Sequence, residues 1–159
     1  MEIQRLSVLF WDYENVPLRR KDHRRFLWAI VNMFNTFTFD FKRIYVRKST
    51  MSSQGYRRLL TKGFDKSKHF KWILCNEPNA VDFSLIHSCI DILNRHPQIT
   101  QVVLISGDGD FLPLVTQLPD HYIVVICQRR NLNRKLIQTV NRAYSIEALI
   151  AKTKRCFYV

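Results

Sequence analysis

Short apolar runs alternate along the chain with longer stretches in which apolar residues recur every three or four positions. Residues 6–11 (LSVLFW), 41–47 (FKRIYVR), 70–75 (FKWILC), 102–106 (VVLIS) and 122–127 (YIVVIC) predict five strands. Most are near-continuous apolar runs, the pattern of parallel strands buried on both faces. Helical patterns fill the gaps. Asp22 is a capping residue type, and after it Phe26, Leu27, Ile30, Met33, Phe34 and Phe37 form a stripe at the helical period. Residues 52–64 predict a short basic helix. Residues 82–95 predict another, with Leu85, Ile86, Cys89, Ile90 and Leu93 on one face. A short helix is predicted from Asp110, with Pro113 in its first turn, where a missing N–H is tolerated. Residues 131–142 predict a further helix and 146–150 a short last element.

Strand and helix in repeated alternation imply right-handed βαβ units, hence a parallel sheet covered on both faces. The expected fold class is α/β: a single-domain, three-layer α/β/α, Rossmann-like arrangement with about five strands. The expected domain spans residues 1–159.

Composition agrees with a globular chain. It has 159 residues, 47% of them hydrophobic and 13% aromatic, with only 4 glycines, enough for one domain with a substantial core. No apolar run approaches the roughly 18 residues of a membrane span. Met1 is followed by a mixed, strand-like stretch, so no secretion leader and no membrane partner are expected. Cys75, Cys89, Cys127 and Cys156 show no metal-binding spacing; they read as free thiols of an intracellular, cytoplasmic protein, and zinc is not expected. The five histidines form no pair at metal spacing.

Charge changes the picture more. The formal net charge is +12, and residues 17–71 hold 15 Lys/Arg against 3 Asp/Glu, while the rest of the chain balances to zero. A basic segment this dense points to a polyanionic partner, nucleic acid first among them.

Against that basic background stand a few aspartates at telling places. Asp12 closes the first predicted strand in FWDYEN, and Asp108 and Asp110 follow the fourth in SGDGDF. Asp82 opens the helix after the third. In a parallel sheet all these positions lie on one edge, where open α/β sheets bind ligands. If the first and fourth strands are neighbours, the acids converge on one crevice, the oxygen-rich environment a hard divalent cation takes. Three of them also sit where aspartate caps helices. SGDGDF lacks the third glycine of a dinucleotide-binding loop, and position 12 counted from Asp108 is Pro119, which rules out an EF-hand. Neither a P-loop nor a GxSxG elbow occurs.

Three segments, FWDYENV, NAVDFSLIHSCIDIL and VVLISGDGDFLPLV, resemble in order and spacing the signature segments of the NYN domain family of the PIN-like nuclease superfamily. The resemblance covers about residues 6–149. It implies a PIN-like fold and a metal-dependent ribonuclease using Mg²⁺ or Mn²⁺. On that resemblance Asp12, Asp82, Asp108 and Asp110 hold metal, Asn15 completes the catalytic set, and Ser106 supports it at the strand end. Many members carry a further acid six residues into the middle helix, where this chain has Ser88. The implied reaction is hydrolysis of phosphodiester bonds by an activated water, as an endonuclease on single-stranded RNA. Products would carry a 5′-phosphate and a 3′-hydroxyl.

Grip on RNA is then expected from Arg19, Arg20, Arg24 and Arg25 after the first strand, and from Arg129, Arg130, Arg134 and Lys135 after the fifth. Tyr13 and Tyr56, near or within the basic segment, are candidates for stacking on unpaired bases. The alternatives are an RNA-binding module of the same fold without turnover, and a structure-specific DNA nuclease. The oligomeric state is left open, a homodimer included.

Overall fold

The structure is a computed structural model that describes residues 5–22, 25–26, 29–30, 37–51, 71–77 and 79–157. Six parallel strands form the sheet: β1 (Arg5–Asp12), β2 (Phe37–Arg47), β3 (Lys71–Cys75), β4 (Gln101–Ile105), β5 (Tyr122–Cys127) and β6 (Arg142–Ser145). Their order is β3-β2-β1-β4-β5-β6. The described helices are α1 (Lys48–Met51), α2 (Ala80–Arg95), α3 (Leu112–Thr116), α4 (Arg134–Thr139) and α5 (Ile146–Phe157). Residues 25–26 and 29–30 are also helical, with Phe26 and Ile30 buried.

The two-residue period of the strands sorts side chains between two cores. Val8, Phe10, Val102, Leu104, Val125 and Cys127 face α2, α3 and α4, packing on Leu85, Cys89, Leu114 and Leu136. Leu9, Trp11, Val103, Ile105, Val124 and Ile126 face the other way, onto Phe26, Ile30, Ile146, Leu149 and Ile150. Every residue of β4 is buried, the burial of a central strand covered on both faces. Cys75, Cys89 and Cys127 are buried free thiols, and burial pushes Cys89 up to about 12.

Some sequence-based boundaries shift. The sheet has six strands rather than about five. β6 reads RAYS, with Arg142 and Ala143 exposed, so an edge strand with no buried run carries no hydrophobic signal. The helix expected over residues 131–142 shrinks to Arg134–Thr139, flanked by a loop before it and β6 after it. The element expected at 146–150 extends to Phe157. Phe37, expected on a helical stripe, instead opens β2; aromatic residues serve either element, and pairing with β1 decides here. Leu27, Met33 and Phe34 of that stripe, and the basic helix expected over residues 52–64, lie outside the described residues.

The strand order carries the main consequence for function. The chain runs outward from β1 to β3, then returns to lay β4 beside β1, with Trp11 opposite Ile105. The switch in direction falls between β1 and β4, and a crevice opens there at the carboxyl edge.

Candidate active site at the carboxyl edge of the sheet

Asp12 is the last residue of β1, and the strand period turns it toward the α2 face, like Val8 and Phe10. Ser106 follows β4 on the same face. Its hydroxyl donates to Asp12 Oδ2 at 3.3 Å and accepts the Asp108 N–H at 3.2 Å. From the first turn of α2, Asp82 points into the same space. Carboxylate oxygens of Asp12, Asp82 and Asp108 all lie within 4.8 Å of one another. Around them is a cleft of about 310 Å³, lined also by Glu14, Asn15, Arg47, Asn79, Val81 and Asp110.

The glycines of SGDGDF have a steric reason. A Cβ on Gly107 would lie 2.7 Å from the Asn131 carbonyl oxygen, and one on Gly109 would lie 2.5 Å from Asn133 Nδ2. The turn after β4 is pressed against the loop after β5. That loop reciprocates: Asn133 N–H donates to the Gly107 carbonyl at 2.9 Å, and the Asn133 side chain caps α4 by accepting the Leu136 N–H at 3.1 Å. Asn15 makes the corresponding clasp from β1, its Oδ1 accepting the Gly107 N–H at 2.9 Å. The acidic turn is thus held from both neighbouring strands.

Within the turn the two aspartates differ. Asp108 caps it, accepting the Asp110 N–H at 2.9 Å, while still presenting an oxygen to the acid cluster. Asp110 is exposed at the rim of the cleft and stands outside the close trio. Capping and clustering are therefore not rival explanations for Asp108; the same side chain does both.

Burial and like charge act together on the cluster. Asp12 is 3% exposed. Its carboxyl is pushed from an ordinary 3.8 to about 7, chiefly by burial, then by the charges of Asp82 and Asp108, against hydrogen bonds from the Asn15 backbone and Ser106. Asp82 is also raised, by burial first and then by Asp108 and Asp110, with Arg47 opposing. Acids that resist ionisation because they crowd one another are offset by a divalent cation, whose charge inverts the local balance. The donor set, hard carboxylate oxygens with room beside them, fits Mg²⁺ or Mn²⁺.

Glu14, Arg47, Asn79 and Val81 also line the cleft without having been singled out from the sequence. Arg47 ends β2, and its N–H donates to Glu14 Oε1 at 2.9 Å. The rule that strand ends share an edge would have named Arg47 as readily as Asp12. Ser88 lies six residues beyond Asp82, about 9 Å along the helix at 1.5 Å per residue.

The predicted basic residues divide. Arg129 and Arg130 are exposed on the loop clasped to the acidic turn, and Arg134 and Lys135 are exposed at the start of α4. Arg19 pairs with buried Asp22 at 2.9 Å. With Arg130, Leu18, Ile146 and Ile150 it lines a second depression, about 590 Å³, beside the other core. Arg20 begins a 3-10 turn (Arg20–Asp22), and Arg25 is half-buried. Arg24 and Tyr56 lie outside the described residues. Tyr13 is corrected as a stacking candidate: it is 1% exposed and packs on Trp11 and Trp72, because the second core extends past the end of β1.

The NYN domain family model matches residues 7–147. No curated protein matches the chain in sequence. A solved structure of a protein of unknown function from Vibrio parahaemolyticus superposes with a TM-score of 0.72 at 19% identity, covering 92% of this chain and 96% of that one. That likeness is one of fold. The structure of AtPrR2 in apo form aligns at a TM-score of 0.41 and 15% identity, over 93% of this chain and 45% of that one.

Proposed function

The chain belongs to the NYN domain family of the PIN-like nuclease superfamily, and from that premise we propose that it is a divalent-metal-dependent endoribonuclease acting on single-stranded RNA. The observation that carries this reading is the meeting of Asp12, Asp82 and Asp108, with oxygens within 4.8 Å, at the switch point of the sheet. Residues 1–159 are taken as one such domain. The buried free thiols favour a reducing, cytoplasmic setting. Among the described residues no helix is long and apolar enough to cross a membrane.

In this reading Asp12, Asp82 and Asp108 hold Mg²⁺ or Mn²⁺, and Asp110 adds a fourth carboxylate at the rim. When bound, such a cation lowers the pKa of water and offsets charge on a phosphate. The chain's own residues do the rest. Ser106 orients the Asp12 carboxyl through its hydroxyl, and Asn15 fixes the Gly107 backbone so that Asp108 stays in register with Asp12. Arg47, the cation lining the cleft among its described residues, is suited to a phosphate oxygen of the substrate. Arg129, Arg130, Arg134 and Lys135 extend positive charge along the same edge toward flanking phosphates. No histidine is needed as a base. The expected products carry a 5′-phosphate and a 3′-hydroxyl.

End-labelled single-stranded RNA and DNA, incubated with Mn²⁺ or with EDTA, test the reading. Cleavage of RNA in Mn²⁺ alone supports it. Binding without cleavage would make the chain a binding module, and cleavage of DNA alone would make it a DNA nuclease.

A further inference from the structure

Among the described residues the exposed large hydrophobic side chains are Leu74, Phe83 and Leu132, 49%, 73% and 39% exposed. All three stand at the carboxyl edge of the sheet. Leu74 is next to last in β3, Phe83 is in the first turn of α2, and Leu132 is in the loop after β5. Scattered exposed apolar residues need no explanation; a set confined to the edge that bears the acid cluster does.

Phe83 is the most exposed of them and follows Asp82 directly. Consecutive Cα atoms are about 3.8 Å apart, and successive helical side chains diverge by about 100°. With Asp82 lining the cleft, Phe83 stands on the adjoining exposed flank of α2, just outside the lining. One turn on, His87 brings a second exposed ring alongside, centroids 6.3 Å apart and planes at 30°. The two tilted rings put exposed aromatic surface on this flank of α2. Tyr13 is buried and offers none.

We propose that Phe83, extended by His87, is a stacking platform for an unpaired base of the RNA strand whose phosphate lies in the acid cleft. The proposal rests on the ribonuclease reading and deepens it by supplying a physical basis for single-strand preference. A base presents a flat face to an aromatic ring only when it is free of its duplex neighbours. The high positive charge of the chain, +12, selects a polyanion. The platform adds a requirement for exposed bases.

Affinity is measured in EDTA, where catalysis plays no part, for a short single-stranded RNA, the same strand with abasic residues, and a duplex. Phe83→Ala should weaken binding of the intact single strand about 5- to 100-fold, the effect of one aromatic–base stack. It should leave the abasic strand and the duplex unchanged, and Phe83→Trp should retain wild-type affinity. His87→Ala should give a smaller loss of the same kind. Equal weakening of all three ligands by Phe83→Ala, or no weakening of any, overturns the platform. Cleavage by the wild type in Mn²⁺ is scored in parallel. A wild type that cuts RNA while Phe83→Ala keeps full affinity sinks the platform alone. A wild type that neither binds nor cuts RNA sinks the ribonuclease reading and the platform with it.

Discussion

Replacing Asp12 by Asn keeps the side chain's shape and removes its charge, so it isolates the electrostatic state of the cluster. An acid whose folded pKa is raised holds its proton more tightly in the folded state. Its stabilising effect is complete below 3.8 and is lost as pH climbs through about 7. A carboxyl moved from 3.8 to about 7 carries about 4 kcal/mol at 1.36 kcal/mol per pH unit. Wild-type protein in EDTA should therefore lose stability steadily between pH 5 and 7 and level off above. Asp12→Asn escapes that loss, less about 1–3 kcal/mol for an amide NH2 in place of the oxygen that accepts the Ser106 hydroxyl. In EDTA at pH 8 the variant should be more stable than wild type by about 1–3 kcal/mol. At about 2–4 °C per kcal/mol for a chain of this size, this is visible in thermal melting. At pH 5 the order should reverse or vanish. Mn²⁺ should raise the wild-type melting temperature at pH 8, since it binds only the folded site, and leave the variant nearly unmoved. A variant less stable than wild type at pH 8 in EDTA, or a wild-type curve flat from pH 5 to 8, would refute the claim that Asp12 is a buried, crowded acid.

Gly107→Ala should destabilise by about 1–3 kcal/mol, because the added Cβ meets a backbone oxygen of Asn131 at 2.7 Å and the loop must shift; urea denaturation that matches wild type would show that the loop gives freely. Asn15→Ala should cost a similar amount, about 1–3 kcal/mol, by leaving the buried Gly107 N–H without an acceptor. If it only moved activity and left stability alone, the side chain would be a catalytic group rather than a clasp. RNA affinity should fall with salt by roughly 0.7 log units per phosphate contact per log unit of salt. Arg129→Glu with Arg130→Glu should flatten that slope, and an unchanged slope would remove the loop after β5 from the RNA surface.

What the sequence made legible follows from what each residue does. β1, β4 and β5 are buried on both faces and read as near-continuous apolar runs, so they stood out. β6 is a short edge strand stabilised by pairing with β5 alone, and pairing leaves no mark on hydrophobicity. Phe37 fits a helix stripe and a strand equally well, and only the neighbouring β1 resolves it. Asp12, Asp82 and Asp108 were legible because strand ends share an edge; their convergence needed β4 beside β1, which no local pattern encodes. Tyr13 stands among the polar residues Asp12, Glu14 and Asn15, and only the fold shows its ring turned inward onto Trp11. The exposure of Phe83 leaves no mark in the sequence, because which face of an amphipathic helix stays open is decided only when the helix is seated on the sheet.

The central claim is that one metal site, built from Asp12, Asp82 and Asp108, cleaves RNA. Its most direct test is cleavage and binding of one single-stranded RNA by wild type, Asp12→Asn and Asp108→Asn, each in Mn²⁺ and in EDTA. The predicted result is cleavage by wild type in Mn²⁺ only, with both variants inactive yet still binding RNA, because the basic surface is untouched. Cleavage that persists in EDTA, or that survives in both variants, contradicts the account.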